Sequence, residues 1–188
     1  MVNRFRVSLR WLVAMAVAAS CGLGLPARAQ ESDRHIPATH GTSLTGTAVA
    51  LPDALKGKVG VLVVGFSHAS QGEVASWGRL LEANYGKSND VAYFELPMLA
   101  GEPKMLRGMI VKRMGSSVPW AERQHFVPLM EGEPAWRAVA HYDKPNDAYV
   151  LLVDDEGLVL WQIEGEATDA AWGKLKHRLA KVFGTDTP

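Results

Sequence analysis

The chain has 188 residues, with 20 Lys and Arg against 20 Asp and Glu, and a single cysteine. If residues 1–29 are removed, Arg4, Arg6, Arg10 and Arg28 go with them, leaving 16 basic against 20 acidic side chains, a net of −4. Mild acidity without a basic stripe excludes nucleic acid as a partner. Cys21 lies in that leader, so the remainder of the chain has neither a disulfide nor thiol chemistry of its own.

Residues 1–29 read as a secretory signal peptide: the basic start Arg4, Arg6, Arg10, an apolar core over 11–25, then Pro26-Ala27-Arg28-Ala29 as a small-x-small site. The apolar core is short of the roughly 20 residues that a spanning helix needs. Cleavage near Ala29 is therefore expected, giving a periplasmic or secreted protein. The alternative is lipidation at Cys21, in Ala18-Ala19-Ser20-Cys21, a poor lipobox without the usual leucine. Residues 30–43 are polar, with Pro37 and Gly41, and read as a flexible N-terminal arm.

A strand is expected over 44–51, and Lys56-Gly57-Lys58 makes a turn into the central stretch. There Val59, Val61, Leu62, Val63, Val64 and Phe66 form an apolar run bounded by Gly60 and Gly65. It is too short and too β-branched to prefer helix, so a buried strand is expected. It continues through Ser67-His68-Ala69 into Ser70-Gln71-Gly72-Glu73, which has the form of a capping box. The helix it opens should run from Ser70 to about Asn84, with Val74, Trp77, Gly78, Leu81 and Tyr85 on one stripe and Gly86 as its stop.

Strand, short loop, helix N-terminus is where α/β folds place their chemistry, because the first amides and the dipole favour an anion. This junction has no cysteine, no glycine-rich phosphate cradle and no second ligand-type residue beside His68.

Residues 91–96 read as a strand, closing a parallel, right-handed β-α-β unit. Pro103 suits a first helical position, and Met105, Leu106, Met109 and Ile110 carry a helix to a stop at Gly115. Its cations Arg107, Lys112 and Arg113 suit the C-terminal half. Pro119, Pro128 and Pro134 break residues 118–137; within them 124–130 could be a strand, and 134–140 one or two helical turns. Residues 148–153 are apolar at both parities, as in a strand covered on both faces. Asp154-Asp155-Glu156-Gly157 turns them back into 158–163 as a hairpin. Thr168 caps a last helix striped by Trp172, Leu175, Leu179 and Val182 or Phe183, ending at Gly184.

This order resembles the thioredoxin-like superfamily over roughly 44–183. The phrases Leu55-Lys56-Gly57-Lys58 and Tyr149-Val150-Leu151-Leu152-Val153-Asp154 with Gly157 look like its extracytoplasmic members. The resemblance implies a three-layer α/β/α sandwich with a mixed central sheet, occupying 44–184 with a tail at 185–188. Thioredoxin-type spacing after Phe66 would place the redox pair at Gln71 and Val74. Phe66-Ser67-His68 is similar to the Phe-Thr-His of the copper chaperones of this fold, whose two cysteine positions fall on Ala69 and Glu73. The cis-proline of active members would fall near Asp147 or Ala148, and Pro145 is too early for it.

Within the superfamily, Tyr149 to Asp154, Gly157, Trp161, Gly165 and Ala167 look most like the mitochondrial ATP-synthase assembly factor family and its bacterial relatives, which also lack the cysteine pair. That implies a non-redox, assembly-factor or chaperone-like role on a protein partner, such as a subunit of a membrane complex, with no cofactor and no catalytic residue. The site expected from this reading comprises Ser67, His68, Ser70, Gln71, Glu73 and Trp120.

Other chemistries are weaker on the residues. A metal site needs three or four ligands, so a copper-handling alternative would have to join His68 to methionines or to His125 and His141. Met98, Met105, Met109, Met114 and Met130 read first as core fillers, then as a partner surface, and last as Cu(I) ligands. Asp154, Asp155 and Glu156 lack the alternating spacing of a calcium loop. Ser67 or Ser70 as a nucleophile lacks a held base and a Gly-x-Ser-x-Gly elbow. Trp77, Trp136, Trp161 and Trp172 read as core; Trp120, between Pro119 and Glu122, is the tryptophan expected to be exposed for partner contact.

Overall fold

The computed structural model describes residues 34–185. The expected signal peptide, its expected cleavage near Ala29 and the alternative of lipidation at Cys21 lie outside the described residues, as do residues 186–188.

The apolar run forms strand β3 (Val59–Gly65), the second strand of a four-stranded sheet ordered β4-β3-β5-β6. It pairs in parallel with β4 (Val91–Pro97) and antiparallel with β5 (Ala148–Val153), and β5 pairs antiparallel with β6 (Val159–Glu164), so the sheet is mixed. Because successive residues of a strand face opposite sides, Val61 and Val63 enter one core and Leu62 and Val64 the other.

The first core lies under helix α1 (Gln71–Tyr85) and the last helix, α4 (Asp169–Val182), and is built on Trp77, Leu81, Trp172 and Leu175. Trp77 is fully buried, and its indole N–H donates to the Gly165 carbonyl at 2.8 Å. The expected cap of α4 is present: Thr168 Oγ1 accepts from the Ala171 amide. Val182 and Phe183, expected on its stripe, are 42% exposed.

The second core lies under helix α3 (Glu133–Val139) and the hairpin of β1 (Thr39–Thr42) and β2 (Ala48–Leu51). With helices on both faces of the sheet, this is the three-layer α/β/α sandwich of a thioredoxin-like fold. The β3-α1-β4 unit is parallel, as the sequence predicts.

Several expectations are corrected. Residues 34–43 are not a loose arm, since Ile36 is buried and β1 pairs with β2. The strand expected over 44–51 begins only at Ala48, because Ser43–Thr47 close a turn. Helix α2 (Lys104–Ser117) passes through Gly115 to Ser117, with Pro103 just outside it. Residues 124–130 run beside β4 and its continuation with only the isolated parallel bridges Glu95–Phe126 and Met98–Leu129: the Val127 and Leu129 amides donate to the Glu95 and Pro97 carbonyls, but Pro97 has no amide to give back to Val127 and complete a ladder. One reading needs no correction: among the described residues the cis peptide bond is Leu51–Pro52, far in sequence from Asp147 and Ala148, where the sequence offers no proline for one.

Candidate functional site

The β3-α1 junction can be this tight because Gly65 has no side chain. A Cβ there would lie 2.8 Å from Val74 Cγ2 and 2.9 Å from Ser70 Oγ. The first turn of α1 thus packs directly on the end of β3.

The capping box does not form. Ser70 has φ −72° and ψ −8°, which is helical rather than the extended backbone that an N-cap adopts. Its hydroxyl instead donates to the Ser67 carbonyl at 2.9 Å, while the Ser70 amide donates to Ser67 Oγ at 3.2 Å, a closed ring over residues 67–70. The Glu73 carboxylate is committed elsewhere: its Oε2 accepts from the Ala148 amide at 2.7 Å.

A cleft of about 650 Å³ opens above this junction, lined by Ser67, His68 and Gln71 on one side and by Ile110, Arg113 and Met114 of α2 on the other. Arg137 closes one end. It pairs with Glu133 at 2.6 Å and lies 3.8 Å over the Tyr142 ring, which meets Phe66 edge-on. A second lobe of about 320 Å³ shares Gly65, Ser67 and Gln71 with the first and reaches inward past Ser70 to Arg79, Glu95 and Glu122.

Of the residues expected from sequence, Ser67, His68, Ser70 and Gln71 line this two-lobed site. Glu73 supports it from behind through Ala148. Trp120 lines neither lobe; it is 76% exposed, with the Arg123 guanidinium 5.3 Å over its ring. His68 is exposed in the first lobe together with Met98 and Met114. His125 lines a different hollow, its Nδ1 donating to the Tyr93 carbonyl at 3.1 Å and its ring stacked on Tyr93. His141 lines neither lobe. Among the described residues no three His, Cys, Asp or Glu side chains are grouped to hold a metal ion. Met105 and Met109 are not core residues, at 88% and 64% exposed.

The second lobe contains a group that the motifs of the sequence do not single out. Glu95 is 1% exposed, in line with Val91 and Tyr93 on the α1 face of β4. Its Oε1 has no hydrogen-bond partner. Burial above all, and next the neighbouring Glu122 carboxylate, push its pKa up to about 8, with Arg79 pulling the other way. Glu122 is also raised, chiefly by burial. Alongside, the Tyr93 hydroxyl donates to Glu82 at 2.7 Å and is held protonated by burial and that bond. Burial lowers His125, against the pull of Glu82.

One signal in the sequence points here. The alternation of residues 91–96 puts Glu95 on an apolar face, and Gly78 in the stripe of α1 leaves room for it. A Cβ on Gly78 would lie 2.4 Å from the Glu95 carboxyl carbon.

No protein-family model matches the sequence. Among solved structures, the fold is similar to the thioredoxin domain of a thiol-disulfide oxidoreductase from Bacteroides vulgatus (TM-score 0.52, 18% identity, 77% of this chain and 94% of that one). It is also similar to BsSco, a member of the Sco family of cytochrome c oxidase assembly proteins (TM-score 0.55, 15% identity, 79% and 94%). In sequence it is 25% identical over 143 residues to the mitochondrial ATPase complex subunit ATP10 of Eremothecium gossypii. That match takes in 73% of this chain and 53% of the relative, so the chain spans about half the length of the curated relative. The chain thus has a thioredoxin-like fold and a distant likeness to that mitochondrial subunit.

Proposed function

We propose that this chain is a non-redox thioredoxin-like binding module with an assembly-factor role, exported by its first 29 residues and acting on a protein partner in a membrane complex. The observation that carries this reading is the β3-α1 junction. Ser67, His68, Ala69, Ser70 and Gln71 stand where the fold's redox chemistry would be, without a thiol, under an open cleft. The wall of that cleft, α2, exposes Met105, Leu106 and Met109, and Trp120 comes just after it. Flexible thioethers beside an exposed tryptophan suit protein contact.

Two measurements test the reading. In an insulin-reduction assay with dithiothreitol the purified protein gives no turnover above the blank; clear turnover defeats the non-redox half. A photocrosslinker placed at Trp120 yields one discrete protein adduct in the envelope, and the same group at Lys176 on α4 does not; equal adducts from both defeat the partner half. Titration with Cu(I) separates the metal-handling alternative, which requires stoichiometric binding at micromolar affinity or better that is abolished by His68→Ala.

A further inference from the structure

The inner lobe holds a buried acidic group with an unpartnered oxygen. A buried carboxyl oxygen without a partner loses its hydration and recovers nothing, and Glu95 Oε1 is in that state, on a side chain 1% exposed that lines the lobe. Glu122, 5% exposed, faces the same space, and Glu82 adds its field from α1. Among the described residues Arg79 is the only cation lining the lobe, and it makes no ion pair with Glu95 or Glu122. Acidic groups therefore outnumber basic ones in the lining of the lobe. The rest of its lining includes an apolar wall of Val74, Met114, Val118 and Phe126.

An occupant that satisfies both ends has an alkyl stem against those walls and a positive group with several N–H donors at its tip. A bare metal ion is a poorer fit, since among the described residues no third His, Cys, Asp or Glu joins the two carboxyl groups. A neutral amide could bond to Glu95 but would gain nothing from the acidic surplus of Glu95, Glu122 and Glu82 over Arg79, whereas a cation does. We infer that the inner lobe receives a cation on a short alkyl stem, the ammonium or guanidinium of a lysine or arginine side chain, seated between Glu95 and Glu122. The inference takes from the proposed function only the source of that side chain, a protein partner; the chemistry stands on Glu95, Glu122 and the apolar walls.

Binding must move a proton. At pH 7 Glu95 is mostly protonated, and a seated cation stabilises its carboxylate, so roughly one proton is released per cation bound. The charged groups facing Glu95 are Glu122, with Arg79 and Glu82 from α1, and the titratable group on its own strand is the protonated Tyr93. Arg79 competes with the ligand for the same carboxylates.

Isothermal titration of the purified protein with n-butylguanidinium, n-butylammonium and n-pentanol, in buffers of different ionisation enthalpy, tests this. The two cations are expected to bind and pentanol not. The buffer dependence should show the released proton, and affinity should rise with pH up to about 8. Glu95→Gln should weaken binding about tenfold or more, and Arg79→Gln should tighten it. No saturable binding of either cation, or binding without proton release, overturns the inference. The wild-type proton count decides the matter even if Glu95→Gln fails to fold.

A blocked pentapeptide with one arginine among alanines distinguishes the source. Binding at least as tight as n-butylguanidinium supports a polypeptide side chain; n-butylguanidinium bound and the peptide excluded overturns that part and leaves a small amine. Failure at the Trp120 crosslinking site with cation binding intact removes the partner, not the pocket.

Discussion

The carboxylate of Glu73, in the first turn of α1, accepts a hydrogen bond from the backbone amide of Ala148, the first residue of β5, at 2.7 Å. The contact joins residues 75 apart in sequence, in the region where the resemblance places the cis-proline of redox-active members. Ala148 is fully buried, so removing the acceptor leaves an unsatisfied buried donor, at a cost of about 1–3 kcal/mol. Glu73→Ala is therefore expected to lower the urea midpoint more than Ser70→Ala, which forfeits two local bonds to Ser67, a 2.9 Å donation to its carbonyl and a long 3.4 Å acceptance from its amide, together worth about 1 kcal/mol. A working capping box gives the opposite ranking.

Glu95 should make stability fall as pH rises. Its folded pKa is raised to about 8 from 4.5, first by burial and then by Glu122. Between those two values the folded chain keeps a proton that the unfolded chain has released, and rising pH favours the unfolded state at up to ~1.4 kcal/mol per pH unit. The loss begins near pH 4.5 and ends near 8. Glu122, raised for the same chief reason, acts in the same direction. Urea midpoints from pH 5 to 9 check this. Glu95→Gln, which cannot ionise, should flatten the curve, and an unchanged slope in that variant refutes the assignment.

Arg137 should matter through its shape more than its charge. Its Nε donates to Glu133 Oε1 at 2.7 Å, and the guanidinium lies flat enough to reach both Tyr142 (3.8 Å) and Phe66 (5.3 Å). A lysine keeps the charge but loses the stacked, forked contact. Arg137→Lys is expected to destabilise by about 1 kcal/mol, and Arg137→Ala to do so by somewhat more, measured by denaturant titration. Equal stability of the lysine variant means that the ring contacts contribute nothing.

Met105, Met109 and Trp120 should separate stability from binding. All three are exposed, and exposed substitutions usually stay within about ±0.5 kcal/mol. Met105→Gln and Met109→Gln together should leave the melting temperature almost unchanged while reducing partner crosslinking from the probe at position 120, and Trp120→Ser alone should be equally neutral for stability. A marked loss of stability places these side chains in an internal contact.

What could be read from the sequence and what could not divides along a physical line. β3, the stripe of α1 and the capped α4 were legible because each is fixed by its own periodicity or a neighbouring cap. Ser70 and Glu73 have the local form of a capping box, but a buried amide at Ala148 outbids the local partner, and tertiary hydrogen bonds leave no mark in a four-residue window. Met105 and Met109 share a helix face in sequence, yet which face meets water depends on where α2 lies. Residues 124–130 are not legible because they form only a partial edge, and the gap in their pairing comes from Pro97 of β4, which has no amide to give. Glu95 was legible in principle, from strand alternation together with Gly78, but it needed the two elements to be set against each other.

The start of α1 should still favour an anion although its thiol is absent. Gln71 is the first residue of the helix, exposed and part of the cleft lining, whereas Val74, the other position that thioredoxin-type spacing selects, is 3% exposed and packs toward Gly65. A thiol at position 71 lies beside the free first-turn amides and the positive end of the helix dipole, which stabilise a thiolate. Gln71→Cys should therefore react with iodoacetamide along a pH profile centred about one unit below that of Lys176→Cys, an exposed site in the middle of α4. Val74→Cys should react slowly at all pH values because burial denies access to it. In the double variant the disulfide then forms only as fast as the first turn of α1 opens from β3. Equal profiles at positions 71 and 176 mean that the junction retains no anion preference; rapid labelling at 74 means that α1 does not pack on Gly65.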